Sequence, residues 1–188
     1  MEMSTIKNVK VTIKGTRPLL INRFGGAEEA APVATRGKKR DYGTPEQQAH
    51  KSAYHDNGDM YVPSTWITSA IRNAAALFKA QGKRSSLKNM AGCAVVCTDD
   101  KLYLGKTLAD IEIDSRGAVV QRARIVRHRA KLNDWELSFE LMVDEELLDL
   151  ATVGAIISEA GRTQGIGDYR VNKGGPFGSF SVVSIEKA

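Results

Sequence analysis

Cysteine is scarce in this chain, which has two, Cys93 and Cys97, among 188 residues. Two thiols are too few for a disulfide scaffold and are typical of a reducing compartment. Long apolar runs are also missing: no segment approaches the roughly 20 residues of a membrane helix, and residues 1–10 lack the apolar core of a secretory signal. We therefore expect a cytoplasmic protein that does not enter a membrane.

Motifs for metals and nucleotides are absent as well. His50 and His55, with two aspartates close by, match no metal-ligand spacing. Cys93 and Cys97 have no second ligand pair, and on a strand they would share one face as two small buried side chains. No G-x-x-x-x-G-K-[ST] segment or dinucleotide-binding fingerprint occurs. The sequence thus predicts no bound metal or cofactor and indicates no catalytic residue.

The elements that are present follow the order of an α+β domain. Apolar residues alternate from 5 to 14, which predicts a half-buried strand, and Ser64 or Thr65 can begin a helix with apolar positions from Trp66 to Phe78. This order is βαββαβ with additions, which predicts a ferredoxin-like, RRM-like fold. The other predicted elements are strands at 94–97 and 101–104, a hairpin of 119–129 with 135–143, a helix at 144–160 that buries Leu147, Leu148, Ala151, Ala155 and Ile156, and a strand at 179–185.

Residues 25–59 interrupt this order after the first strand. They are polar, rich in glycine, alanine and charge, and show neither helical nor strand periodicity. An irregular segment of this length is uncommon inside a compact domain and is usually functional or disordered. Because 188 residues fit one domain, we interpret the segment as a flexible insertion in a single domain, 1–188, that reaches over a neighbouring copy.

The formal net charge is +5, and the cations occur in groups. Arginine suits planar, bidentate contacts with phosphate. For the hairpin group, the alternative is solvated pairing with Glu136 and Glu140 on the facing strand, and the change of parity there also suggests a bulge. The cations predicted to contact phosphate are Arg36, Lys38, Lys39 and Arg40 in the insertion, Arg72, Lys83 and Arg84 in and after the first helix, and Arg122, Arg124, Arg127 and Arg129 in the hairpin.

A glycine-rich segment, Gly161–Gly178, follows the second predicted helix. Glycine lets a backbone approach a ligand closely and exposes N–H groups to anions; the alternative is a plain turn between helix and strand. Because cations lie between the glycines, we expect the segment to cradle a sugar-phosphate backbone. The residues predicted to do so are Arg162, Gly165, Gly167, Arg170, Lys173, Gly174 and Gly175.

Aromatic residues make up 6% of the chain, and none forms an RNP-type pattern on the predicted central strands. Binding is then expected to be mostly electrostatic and tolerant of sequence. Trp66, Phe78, Trp135 and Phe139 fall on predicted core faces, whereas Tyr42, Tyr54, Tyr61 and Tyr169 lie in predicted loops and are better candidates for stacking on bases.

Three segments of the sequence resemble the RAMP superfamily, the RRM-like proteins of CRISPR effector complexes, and above all their backbone subunits. The segments are TIKGTRPLLIN, MYVPSTWITSAIRNAAALF and GRTQGIGDYRVNKGGPFGSFSVV, about a third of the chain. The resemblance implies an RRM-like core, RNA or single-stranded DNA as the ligand, and head-to-tail assembly. The chain departs from these subunits in being short and in showing no obvious thumb hairpin.

The function that follows is sequence-tolerant binding of single-stranded RNA or DNA through the phosphate backbone, by a repeating subunit of a filament, ring or ribonucleoprotein. Two alternatives remain. One is a RAMP-type endoribonuclease, which a cleavage assay would reveal; Asp41 and His50 lie in the region of the insertion where a cleaving residue could sit, but nothing in the sequence selects them. The other is a phage or virion assembly protein with an incidental basic surface, which would form salt-independent oligomers without nucleic acid.

Overall fold

The computed structural model describes residues 5–23, 25, 43–80, 82, 84–120 and 123–187, with backbone only at 118–120, 123 and 124. The strands and α-helices, in chain order, are β1 Ile6–Gly15, β2 Leu19–Ile21, α1 Pro45–Ser52, β3 His55–Asp56, β4 Asp59–Pro63, α2 Ser64–Ala74, α3 Lys88–Ala94, β5 Val95–Cys97, β6 Lys101–Thr107, β7 Glu112–Val120, β8 Ala123–Leu132, β9 Glu136–Asp144, α4 Leu150–Glu159 and β10 Phe180–Lys187. None of the described helices is long and apolar enough to span a membrane.

The central sheet has four antiparallel strands in the order β10-β1-β9-β5. Along the chain, β1 leads through α2 to β5, and β9 leads through α4 to β10, which is the βαββαβ pattern. The ferredoxin-like α+β fold predicted from the order of elements is therefore confirmed. The other strands are additions placed between β1 and α2 and between β5 and β9.

The core lies between one face of this sheet and the helices α2 and α4. Alternate residues of β1 point into it, so that Val9, Val11 and Ile13 are buried, as the alternation predicts. On β9 the predicted apolar face is also confirmed. Burying side chains of this size contributes about 1.5–3 kcal/mol each. The buried residues that face them are Ile67, Ala70, Ile71 and Ala74 on α2 and Val153, Ile156 and Ile157 on α4.

A second sheet, in the order β2-β8-β7, corrects the predicted hairpin. The strand β8 pairs with β7 rather than with β9, in an unbroken register from Glu112–Lys131 to Val120–Ala123. The predicted pairing of 119–129 with 135–143 is therefore wrong, and so are the bulge and the pairing of its cations with Glu136 and Glu140. Alternation identifies each strand but does not say which strands become neighbours, and this long hairpin was not apparent in the sequence.

Part of the predicted irregular insertion is ordered. Helix α1 begins with a capping box in which Thr44 Oγ1 accepts from Gln47 N–H and Gln47 Oε1 accepts from Thr44 N–H. It packs on β8, where Ser52 Oγ accepts a hydrogen bond of 2.7 Å from Ala130 N–H. Because its buried positions are Ala49 and Ser52, it shows no apolar periodicity. The third sheet, β3-β4-β6, follows, and residues 26–42 lie outside the described ones.

The second predicted helix begins later than expected. Asp149, not Asp144, caps α4 by accepting from Thr152 N–H at 2.8 Å, so Asp144, Glu145 and Glu146 precede the helix. The predicted buried stripe is correct at Leu148 and Ile156 and wrong at Leu147, Ala151 and Ala155, which are exposed. The buried face of α4 includes Val153 and Ile157 instead.

Two further predictions about the middle of the chain are corrected. Between the predicted helix and the predicted strand at 94–97, where no element was predicted, α3 begins at Lys88. Cys93 and Cys97 do not share a strand face: Cys93 is exposed on α3, and Cys97 is half-buried on β5. The break between them falls at Val95, where the helix gives way to a three-residue strand.

Candidate nucleic-acid interface

The glycine-rich segment begins as a continuation of α4. A π-helical turn, Ala160–Gln164, ends at Gly165, and the chain then folds back over the exit of β1. One backbone hydrogen bond closes the segment on itself, and two others hold it there. Ile166 N–H donates to Gly178 O at 2.9 Å, Gly178 N–H to Pro18 O at 2.8 Å, and Asp168 N–H to Leu20 O at 2.8 Å. The segment is therefore fixed to the β1–β2 connection, and π-helical turns are frequent at functional sites.

Some of its glycines are required by the packing of the segment on itself. Gly178 has φ +73°, and a Cβ there would lie 1.8 Å from Ile166 O. At Gly175 a Cβ would lie 1.7 Å from Tyr169 O. Such approaches exclude any side chain. Of the predicted cradle residues, Gly175 is thus buried within the segment, Gly174 is at its exposed tip, and Gly165 and Gly167 line a groove.

This groove, of about 140 Å³, lies between the segment and α2. On the α2 side, Thr65, Ser69 and Asn73 recur at every fourth position and so form one stripe along the helix. Opposite them are Gln164 and Asn172, whose side chains are joined by a hydrogen bond of 3.0 Å. The remaining lining residues are Trp66, Ala70, Gly165, Ile166, Gly167 and Arg170. Hydroxyl, amide and guanidinium groups therefore face each other across it.

Among the described residues that line the groove, Arg170 has the one cationic side chain. Its Nη1 donates to Gly167 O at 3.2 Å, which holds the guanidinium against the segment. A guanidinium carries five N–H donors, so this bond leaves donors that can reach a phosphate. The structure thus places Arg170, which was predicted to contact phosphate, beside hydroxyl and amide groups, the kinds of group that proteins use to contact sugar and phosphate.

Other predicted cations lie elsewhere. Arg162 pairs with Glu159 at 2.8 Å, and its side chain is 76% exposed, in a second depression that includes Arg17. Arg72 lies over α3, since a Cβ at Gly92 would be 3.5 Å from its Cδ and Nε. The structure therefore does not bring these cations into the groove. Lys173 and Arg84 are exposed, the first at the end of the glycine-rich segment.

The hairpin cations face acids that the sequence did not identify. Lys131 Nζ lies 2.7 Å from Glu112 Oε2, and Arg129 Nη1 lies 3.3 Å from Asp168 Oδ2. Arg127 is opposite Arg116 in the register. Carboxylates thus pair with Arg129 and Lys131, but they are not the Glu136 and Glu140 that the alternative named. Arg36, Lys38, Lys39, Arg40, Lys83, Arg122 and the side chain of Arg124 lie outside the described residues.

The hairpin also holds the glycine-rich segment through aromatic contacts. The guanidinium carbon of Arg116 lies 4.8 Å from the ring centre of Phe177 and 5.9 Å from that of Tyr169. Asp114 accepts from Arg116 Nε at 2.7 Å. Because a guanidinium over an aromatic face is attractive, β7 and the segment are bound together on the side away from α2.

The open face of the central sheet, where an RRM carries its aromatic residues, is polar at its centre and carries the exposed pair Val96 and Met142 towards one end. Lys10 lies opposite Glu140 and Glu186, and Thr12 and Ser138 are joined by a hydrogen bond of 2.9 Å. Its cations face carboxylates and it offers no stacking ring on β1 or β9, so the groove on the other side is the better candidate for a nucleic acid.

Of the two residues considered for RNA cleavage, Asp41 and His50, the structure describes His50. No group of three or more His, Cys, Asp or Glu side chains among the described residues is arranged to hold a metal. His50 is exposed near the end of α1, and Asp41 lies outside the described residues, as does Tyr42. The polar residues of the groove were missed by the sequence reading, although the spacing of Thr65, Ser69 and Asn73 on the predicted helix was a usable signal.

No family model matches the chain, and no curated protein matches it. Among solved structures, a chain of the type III-B Cmr-beta complex bound to cognate target RNA, solved by cryo-electron microscopy, is similar at a TM-score of 0.54 and 12% identity, over 97% of this chain and 60% of that one. Cmr6 from Pyrococcus furiosus matches at 0.48 and 12% identity, over 95% and 99%. A chain of a CRISPR RNA-guided surveillance complex matches at 0.40 and 12%, over 96% and 67%.

These likenesses concern the fold, because identity is 12% throughout. The chain spans about 60% of the length of the Cmr-beta chain that it matches. At the level of the fold, the likeness to the Cmr-beta chain agrees with the resemblance that the sequence suggested: the two chains share an α+β architecture.

Proposed function

We propose that this protein binds single-stranded nucleic acid, RNA in preference to DNA, in a sequence-tolerant manner, in the groove between α2 and the glycine-rich segment. The observation that carries the proposal is the groove itself. It places the Arg170 guanidinium beside two facing rows of hydroxyl and amide groups. Contacts of these kinds to phosphate and sugar position a strand without reading its bases.

The preference for RNA is supported by the chemistry of the lining. Thr65 and Ser69 carry hydroxyls, and Asn73, Gln164 and Asn172 carry amides, so each can both donate and accept. A ribose 2′-OH also donates and accepts, and it is the group by which a protein distinguishes RNA from DNA. A lining of fixed cations would not make this distinction, because both backbones carry the same phosphates.

A repeating role in a ribonucleoprotein is the second part of the proposal. The groove holds about 140 Å³, which is room for a short stretch of backbone, whereas natural single strands are far longer. The similar Cmr-beta chain belongs to a complex bound to target RNA. We therefore propose that copies bind side by side along one strand, in a filament or ring.

Fluorescence anisotropy with a labelled 12-nucleotide oligouridine tests the binding, with the deoxy oligomer of the same length as the comparison. Arg170→Ala should weaken binding about 10-fold, because a charged hydrogen bond contributes about 1.5 kcal/mol. Arg162→Ala is the matched control, since that arginine lies outside the groove, and it should change affinity less than about 2-fold. Unchanged affinity in Arg170→Ala would exclude the groove as the site.

A gel of the same RNA after incubation separates binding from cleavage. We expect the RNA to stay intact. Shortened products that disappear in His50→Ala would support the endoribonuclease instead.

A further inference from the structure

The outer face of the third sheet carries a row of tyrosines. Tyr61 on β4 lies opposite Tyr103 on β6, and their ring centres are 6.0 Å apart. Tyr54, directly before β3, has its ring centre 5.7 Å from that of Tyr61. Side chains that alternate along a strand share a face, so the three rings lie side by side across the three strands. We call them the tyrosine face.

On β4 and β6 the tyrosine face is not the packed side of the sheet, whereas Tyr54 is half-buried against the core. The buried side chains of β4 and β6 are Met60, Val62, Leu102 and Leu104, and these alternate with the tyrosines. Tyr103 is 50% exposed. The core contact of the sheet is therefore supplied by its other face, and the ring of Tyr103 is left facing solvent.

The row of rings connects to the groove. Trp66, on the first turn of α2, has its ring centre 5.7 Å from that of Tyr54 in an edge-to-face arrangement. Trp66 also lines the groove that holds Arg170. A continuous series of aromatic rings thus runs from the groove through Trp66, Tyr54 and Tyr61 to Tyr103.

A cation accompanies the rings. Lys101 Nζ lies 5.1 Å from the ring centre of Tyr61 and 2.7 Å from Asp56 Oδ2. The hydrogen bond to Asp56 raises the pKa of Lys101 and lowers that of the carboxyl, so the ammonium stays charged. An ammonium has three donors, and Asp56 takes one, which leaves donors for a phosphate beside the rings.

We propose that the tyrosine face, with Lys101, stacks unpaired nucleobases of the strand whose backbone lies in the groove. Aromatic rings next to a cation form the usual stacking surface for single strands, and every base has a π face, so such stacking tolerates sequence. This inference rests on the proposed function. It differs from RRM recognition because the rings lie on the added sheet, not on the central one.

The test compares oligoadenosine of 12 nucleotides with an abasic oligomer of the same length, which offers the backbone alone. Tyr103→Leu removes the ring but keeps an apolar side chain at an exposed position, so folding is preserved. It should weaken binding of oligoadenosine about 10-fold, within the range of base–aromatic stacking. The affinity for the abasic oligomer should not change. Tyr103→Phe keeps the ring and should bind as wild type does.

Arg170→Ala serves as the comparison variant, because it should weaken binding of both oligomers. If Tyr103→Leu binds oligoadenosine as tightly as wild type while Arg170→Ala binds it weakly, the bound strand lies in the groove but does not contact the tyrosine face. If the wild-type protein binds neither oligomer, both proposals fail. A Tyr103→Leu protein with unchanged RNA affinity but altered sedimentation would make the face a protein interface and overturn the stacking proposal.

A spectroscopic readout separates stacking from a general loss of affinity. In an oligomer that contains one 2-aminopurine, the fluorescence of this base should be quenched when wild-type protein binds and the base stacks on the tyrosine face. Saturating Tyr103→Leu should restore the emission. Equal quenching by both proteins at saturation would contradict the proposal.

Discussion

Arg129 Nη1 lies 3.3 Å from Asp168 Oδ2, which joins strand β8 to the glycine-rich segment. This carboxylate oxygen is buried and, among the described residues, accepts no hydrogen bond. The other oxygen of Asp168 accepts from Tyr169 N–H at 2.9 Å. The cation of Arg129 is therefore the described group that compensates the buried oxygen, and the pair fixes the segment from the side opposite α2.

Replacing Arg129 by Met should destabilise the protein by about 1–3 kcal/mol, because a partly buried carboxylate loses its compensating charge. Urea denaturation measures the change. Lys131→Met is the control on the same strand: its partner Glu112 is 56% exposed, and such pairs contribute about 0–1 kcal/mol. Equal losses in the two variants would mean that the Asp168 pair has no special part in holding the segment.

Salt dependence distinguishes a phosphate contact from other contacts. On single strands, each neutralised phosphate contributes about −0.7 to the slope of log K against log salt concentration. Arg170→Ala should therefore make the slope less steep by about 0.7. Asn73→Ala, also in the groove, should weaken binding with no change of slope. An unchanged slope in Arg170→Ala would show that this guanidinium does not contact phosphate.

The sequence was informative where one periodicity determined the structure. On β1 the alternation that ends at Ile13 identifies both the strand and the face that it buries. It failed at β8, which carries a strand pattern: β7 and β9 are both adjacent to it along the chain, and the pattern does not say which of them pairs with it. The short helix α1, with Ala49 and Ser52 buried, has too little apolar character to show a period.

In the candidate site, too, residues with a local sequence signal could be predicted, and residues brought together only by the fold could not. Arg170 was identified because a cation between glycines is a local signal. The partner of Arg129 could not be read from sequence, because Asp168 lies 39 positions further along and meets it only through the fold. Part of the tyrosine face could be predicted from the sequence, since Tyr54 and Tyr61 were stacking candidates. The strand register that puts Tyr103 beside Tyr61 is set by the tertiary fold.

Two glycines of the same segment provide a test of its packing. Gly174 and Gly178 both have φ +73°, but a Cβ at Gly174 meets nothing within 4 Å, whereas one at Gly178 lies 1.8 Å from Ile166 O. Gly174→Ala should cost about 1–2 kcal/mol, from the left-handed backbone alone. Gly178→Ala should cost clearly more and weaken RNA binding, since the carbonyl of Ile166 must move. Thermal melts that rank the two equally would contradict this packing.

The cap of α4 predicts a dependence on pH. Hydrogen bonds from the hydroxyl and N–H of Thr152 lower the pKa of Asp149 in the folded protein. The stabilisation is therefore complete above the unfolded pKa of about 3.9 and is lost as pH falls through the lower folded value. Asp149→Ala should cost about 1 kcal/mol at pH 7, and this difference should shrink below about pH 4. Asp149→Asn, which caps without titrating, should remove the pH dependence.

Assembly along a strand is the last expectation, and the structure decides how to test it. A deletion of residues 30–56 would remove α1, with buried Ala49 and Ala53 and the Ser52 hydroxyl that bonds Ala130 N–H, so it should unfold the domain. A deletion of 30–42 keeps the capping box at Thr44. If the insertion reaches over a neighbour, this shorter variant should fold and bind a 12-nucleotide RNA, yet form no filament or ring on long polyuridine. Contacts between unlike surfaces propagate in these two ways, and negative-stain images with light scattering distinguish them from monomers. A wild-type protein that stays monomeric on saturating polyuridine would refute assembly and leave binding in the groove intact.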